Sequence, residues 1–211
     1  MSILTKIIRA GNEDRRTRFH TLRGNLIPKR EIVTAPIELF LRCVGLERKG
    51  PWLSKSAVRE ISKLLRDGKH TRVLEIGGGR STTYFSKHTS FLMTIEEDAE
   101  WARKIQTQIS KSKHEFVLVN TELSLWLNSR NKHNMDFDIV LIDGGSDEAR
   151  KRSLEILPTL NPKAIYILDN SDREIFKEIN FELKPLHTTR FSGLIRNPFQ
   201  ATETTFFYFE L

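Results

Sequence analysis

One cysteine, Cys43, in 211 residues leaves nothing to pair with inside the chain, which excludes an intramolecular disulfide framework. It fits a reducing compartment and a buried, inert thiol. No apolar run is long enough to span a bilayer. Met1 to Ala10 alternate apolar and polar groups too briefly for a secretory signal peptide, and Glu13 and Asp14 count against an organelle transit peptide, so the expected location is the cytoplasm. The six histidines show no metal-ligand spacing, and zinc is not indicated. No internal repeat or low-complexity segment is visible, and the length suits one domain of ordinary size with a substantial core.

An acidic excess is also missing, and the basic excess is local. Residues 1–55 hold 12 Lys and Arg against 5 Asp and Glu, while residues 56–211 hold 22 of each sign. The whole net charge of +7 therefore lies at one end. Residues 1–50 read as a basic arm, partly helical or flexible, in which Arg15, Arg16, Arg18, Arg23, Lys29 and Arg30 are interleaved with Phe19 and Leu22. Such an arm is either a solvated leader or an electrostatic footprint for RNA, an anionic membrane surface or an acidic substrate.

What is present begins at residues 73–86, where an apolar strand runs through a glycine turn into a helical pattern. Val73, Leu74 and Ile76 form the strand. Gly77, Gly78 and Gly79 let the backbone adopt dihedrals closed to other residues and bring bare N–H groups to a ligand, a nucleotide cradle. Phe91 to Ile95 is a second short apolar strand ending on Glu96, nineteen positions after Gly77, the offset of a carboxylate that accepts from ribose hydroxyls. Asp98 suits the N-cap of the helix that follows. The dinucleotide pattern Gly-x-Gly-x-x-Gly requires glycine at position 82 and meets Thr82, which argues against a nicotinamide dehydrogenase.

Glu75, Gly77, Gly79 and Ser81 instead resemble the first motif of class I S-adenosylmethionine-dependent methyltransferases, and Thr94 to Trp101 resembles a second motif of the form acid-x-Asp-x-x-Trp. The resemblance runs from about Pro51 to the C-terminus, so residues 51–211 are expected to be the methyltransferase domain. It implies a Rossmann-like α/β fold: a seven-stranded, mostly parallel sheet with helices on both faces and an antiparallel last strand. It implies S-adenosylmethionine held by Glu75, Gly77, Gly78, Gly79, Ser81, Thr82, Glu96, Asn120 and Asp143.

The remaining apolar segments agree with strands alternating with helices. Ile37 to Val44 and Ser54 to Arg66 read as helices, Phe116 to Val119, Phe137 to Ile142 and Ala164 to Leu168 as strands, with helices at Leu123 to Leu127, Ala149 to Leu157 and Arg173 to Ile179. Two more strands, near Lys184 to Phe191 and Thr204 to Phe209, close the chain. Ligands in such a sheet bind at the carboxyl ends of the strands, where Asp143-Gly144-Gly145 and Asp169-Asn170 fall. Helix capping and turn formation would also use these residues. Asp143, Asp169 and Asn170 are hard oxygen donors suited to Mg2+ or Ca2+, and their placement resembles the catechol-type O-methyltransferases, in which such residues hold a metal. The general-base lysine of that group is replaced here by Ser146.

Asp143, Asp169 and Arg150 are the expected catalytic residues, Arg150 as a bidentate donor to an anionic substrate group. Trp52, Arg196, Phe199 and Gln200 are candidates to flank the pocket. The expected activity is methyl transfer to an oxygen of a small molecule. The alternatives are an RNA methyltransferase using the basic arm and a non-catalytic cofactor-fold scaffold.

Overall fold

The computed structural model describes residues 16–46, 50–109, 114–118, 136–195 and 200–210. Among these, the helices and strands in chain order are α1 (Lys29–Cys43), α2 (Lys55–Arg66), β1 (Arg72–Ile76), α3 (Arg80–His88), β2 (Phe91–Glu96), α4 (Ala99–Gln106), β3 (His114–Leu118), β4 (Ile139–Ile142), α5 (Asp147–Leu160), β5 (Ile165–Leu168), α6 (Ile179–Leu183), β6 (His187–Ile195) and β7 (Gln200–Tyr208). The strands form one sheet in the order β3-β2-β1-β4-β5-β7-β6. β1 to β5 pair in parallel, and β7 runs antiparallel to both β5 and β6.

The period-2 pattern sorts the strand residues onto two cores. Leu74, Ile76, Val140, Ile142, Tyr166, Leu168 and Phe207 face one side with Leu154 and Leu157 of α5. Val73, Ile139, Leu141, Ile165, Ile167 and Phe206 face the other with Ala57 and Ile61 of α2 and Phe85 of α3. Every residue of β4 and β5 is buried, as a parallel sheet covered on both faces requires. Glu75 shares a face with Val73, so its carboxylate is directed to where α3 begins.

Several boundaries differ from the sequence expectation. α1 starts at Lys29 and carries Pro36 within it, ahead of the expected start at Ile37. α5 extends from Asp147 through Pro158 to Leu160. The expected helix at Arg173 to Ile179 is a 3-10 turn, Glu174–Phe176, followed by the separate α6. Cys43 is exposed at the end of α1, correcting the expected buried thiol: it lies among the exposed Phe40, Val44 and Leu46, on a turn that the described residues leave uncovered. The expected helix at Leu123 to Leu127 lies outside the described residues.

Residues 18–35 pack onto the last two strands. Ile27 and Ala35 share a small core with Leu194 and Ala201, Ala201 N–H donates to the Arg18 carbonyl at 2.7 Å, and Leu194 N–H donates to the buried Glu31 carboxylate at 2.8 Å. Among the described residues, no helix is long and apolar enough to cross a membrane.

Candidate active site

The switch point of the sheet lies between β1 and β4, because the connections leaving these strands depart in opposite directions. Their exit turns touch. Asp143 and Gly144 N–H both donate to the Ile76 carbonyl, at 3.0 and 2.8 Å, and Gly77 takes φ +90°, a left-handed conformation that favours glycine.

The turn after β1 is held from three sides. Gly77 N–H donates to the Ile95 carbonyl at 2.8 Å. Gly78 N–H donates to Glu96 Oε2 at 2.8 Å, and the Trp101 indole N–H donates to the Gly78 carbonyl at 2.7 Å. Glu96 Oε1 accepts from the N–H groups of Glu97 and Asp98, both at 2.9 Å. Asp98 in turn caps α4 through the N–H groups of Glu100 and Trp101. The glycine turn and the carboxylate that ends β2 are therefore one bonded unit, with one lone pair of Glu96 Oε2 left over. Trp101, placed by the sequence analysis only at the end of the second motif, thus braces the glycine turn. Its position three residues after the Asp98 cap was the available signal, since that spacing turns it back over the preceding loop.

Glu75 lies beneath this turn. Its Oε2 accepts from Thr82 Oγ1 at 2.5 Å and Thr94 Oγ1 at 3.0 Å, and Thr82 Oγ1 accepts from Gly79 N–H at 2.8 Å. Oε1 is buried without a hydrogen-bond partner. Burial raises the carboxyl to a pKa of about 7, bonds from the Ser81, Thr82 and Thr94 hydroxyls oppose the shift, and the Glu96 charge adds to it. At the mouth, the Arg80 guanidinium stands 5.0 Å from the Trp52 ring centroid.

The second cluster is at the ends of β4 and β5. Asp169 Oδ1 accepts from Thr204 Oγ1 at 2.8 Å, and the Asp143 carboxyl stands beside it at the end of β4. Burial is the main cause raising both; the Asp143 charge raises Asp169 further, the Glu75 charge raises Asp143, and Arg150 opposes both shifts. Two neighbouring carboxyls resist ionising together. Thr202 and Thr204 of β7 complete the cluster; no sequence spacing connects them to Asp169, because only the antiparallel pairing of β7 with β5 brings them there.

Arg150 is 7 % exposed and turned inward. Its Nη2 donates to the Asp143 carbonyl, and its Nη1 to the Asp169 carbonyl at 3.4 Å and Asn170 Oδ1 at 3.5 Å. Its guanidinium lies 3.9 Å from the Asp143 carboxylate. Asn170 sits at φ +51°; its Oδ1 also accepts from Arg173 Nη2 at 3.2 Å, and its amide donates to Thr202 Oγ1 at 2.9 Å. Ser146, at the position of the missing lysine, caps α5 by accepting from Ala149 N–H at 3.1 Å. Asn120, Arg196 and Phe199 lie outside the described residues, and Gln200 opens β7. His187 is exposed on β6 and bonded to Thr189.

The fold is that of class I S-adenosylmethionine-dependent methyltransferases. Solved structures similar to this chain include an O-methyltransferase from Bacillus cereus in complex with S-adenosylhomocysteine, 15 % identical over 83 % of this chain and 90 % of the other, TM-score 0.55. A second is an O-methyltransferase from Streptomyces achromogenes involved in tomaymycin synthesis, in complex with S-adenosylmethionine, at 16 %, 84 %, 89 % and 0.51. A third is an rRNA methylase from Streptococcus thermophilus, at 10 %, 73 %, 96 % and 0.52. No protein-family model and no curated protein sequence matches the chain.

Proposed function

We propose that this chain is an S-adenosylmethionine-dependent methyltransferase acting on an oxygen of a small-molecule acceptor, with residues 51–211 as the catalytic unit. The observation that carries the reading is the bond from Gly78 N–H to Glu96, which makes the glycine cradle and the ribose acid a single preformed surface. Glu96 accepts from the ribose with the lone pair left on Oε2, and Gly77, Gly78, Gly79, Ser81 and Thr82 line the approach of the methionyl part. The unpartnered Oε1 of Glu75 and the acids Glu96, Asp143 and Asp169 fit a ligand that brings positive charge, as this cofactor does through its ammonium and sulfonium groups. Bound, the cofactor supplies an electrophilic methyl group.

The chain supplies position and a proton acceptor. Holding the acceptor oxygen in line with the donor provides most of the rate, and Asp143, the more accessible member of the acid pair, takes the acceptor's proton. Asp169, buried beside Asp143, raises the basicity of that group by resisting a second negative charge, and Arg150 fixes the two strand ends by binding the carbonyls of Asp143 and Asp169. The three oxygens expected to bind Mg2+ or Ca2+ do not suit a resident divalent ion: the Asn170 oxygen is engaged by two guanidinium groups, and a third positive centre would be placed beside Arg150. We therefore read the reaction as proceeding without a metal.

A small acceptor is favoured over RNA because Arg23 of the arm is engaged with the protein itself. Arg23 binds Glu203 at 3.1 Å and the carbonyls of Ser171 and Phe176 at 2.8 and 3.1 Å. Titration calorimetry with S-adenosylmethionine, S-adenosylhomocysteine and NAD tests the cofactor: the first two should bind and NAD should not. Labelled-methyl transfer to hydroxylated small molecules and to RNA, with and without residues 1–15, tests the acceptor. Transfer to RNA that disappears with those residues would favour the RNA reading, and cofactor binding without transfer to any acceptor the scaffold reading.

A further inference from the structure

We propose that the outward face of α1 docks on an anionic membrane surface. Val33, Ile37, Phe40 and Val44 recur at helical spacing and lie within about 60° of one another around the helix axis. Val33, Ile37 and Phe40 are 76 %, 62 % and 65 % exposed. Six of the nine large hydrophobic residues that are exposed among the described residues fall between positions 26 and 46, so the patch is concentrated rather than scattered. The opposite face of α1 is the one the protein covers, through buried Glu31 and Ala35. A surface helix ordinarily turns one apolar stripe toward the core; α1 does so with Ile32, Ala35 and Leu39 and carries a second stripe facing outward, which marks an interaction surface.

Charge selects the occupant. Lys29 and Arg30, both exposed, sit in the first turn on either side of the stripe, and residues 1–55 carry a net +7 while the rest of the chain is neutral. Pairing with a second copy through this face would bring two such segments together. A nucleic acid would answer the charge but leave four aliphatic and aromatic side chains in water. An anionic bilayer meets both needs, taking the stripe into the headgroup boundary and the cations at the phosphate level.

The full chain should float with vesicles of phosphatidylglycerol and phosphatidylcholine and not with phosphatidylcholine alone. The double variant Ile37→Ser/Phe40→Ser should weaken that binding at least about tenfold, Lys29→Glu/Arg30→Glu by about tenfold or more, and raising salt from about 0.05 to about 0.5 M should weaken the wild type. All four positions are exposed, so thermal melting and cofactor binding should be unchanged and report correct folding. No binding to the anionic vesicles would overturn the proposal. So would binding that Ile37→Ser/Phe40→Ser leaves intact, a dimer in light scattering that this variant dissolves, RNA binding in place of vesicle binding, or vesicle binding gained only on removal of residues 1–15, which would mean that the chain's own N-terminus covers the stripe.

Discussion

Gly77 and Gly144 meet backbone to backbone: a Cβ on either would lie 2.1 Å from the Cα of the other. No side chain can yield at this contact, because both neighbours are main chain. The two turns that frame the switch point are thus at the closest approach their backbones allow, and the cofactor cradle and the acid cluster share one support.

Gly144→Ala should accordingly cost about 3 kcal/mol or more of stability, the upper end of overpacking in a tight core. Cofactor affinity should fall with it, since the strand ends must separate. Chemical denaturation and calorimetry on the same preparation measure both; an alanine variant of wild-type stability would contradict the contact.

Glu96→Ala removes the acceptor for the N–H groups of Gly78, Glu97 and Asp98 as well as for the ribose. The expected loss is about 1.5 to 3 kcal/mol of S-adenosylhomocysteine affinity, the scale of hydrogen bonds to a charged group. Unchanged affinity would move the ribose role to another residue.

Glu75 makes stability depend on pH with a definite sign. Its carboxyl is raised from 4.5 to about 7 in the folded protein, so between those values the folded chain holds a proton that the unfolded chain has released. Stability from this group is full below about 4.5, declines as pH rises toward about 7, and is flat above, a change of up to roughly 3 kcal/mol. Urea denaturation of the wild type and of Glu75→Gln should diverge across that interval, the variant being relatively more stable at pH 8. Parallel curves would show that Glu75 titrates as an ordinary carboxyl.

Chelation should leave methyl transfer intact, and Mg2+ or Ca2+ should not shift the melting temperature of the protein without cofactor. Arg150→Ala should abolish turnover. Reversible loss of activity in excess chelator would restore Asp143, Asp169 and Asn170 as metal ligands.

Arg23→Ala leaves Glu203 buried without its closest cation. The expected cost is about 2 kcal/mol, reduced from that of a fully buried pair because Arg23 is partly exposed. Glu203 is already raised by burial against the opposing charges of Arg23 and Arg190. Removing Arg23 raises it further, so the variant's deficit should be smaller at pH 5 than at pH 8 in denaturation curves. Equal deficits at both pH values would show that Arg23 acts through packing alone.

Local chemistry was legible in the amino-acid order because it depends on neighbours along the chain. The apolar runs of β1, β2, β4 and β5 need burial on both faces, Gly77 needs a left-handed turn, Asp98 caps the helix beside it, and each of these requirements is met within a few residues. The alternation of strand and helix then leads to a mostly parallel sheet with its site at the carboxyl ends. What sequence order could not contain are contacts made across the sheet. Whether Asn170 faces a cation or two arginines depends on where α5 and the 3-10 turn bring Arg150 and Arg173, and Thr204 reaches Asp169 only through the antiparallel return of β7. Whether the arm's arginines meet solvent or protein, and which face of α1 lies outward, was likewise decided by packing against β6 and β7, since periodicity shows that a helix has two faces but not which one the rest of the chain will cover.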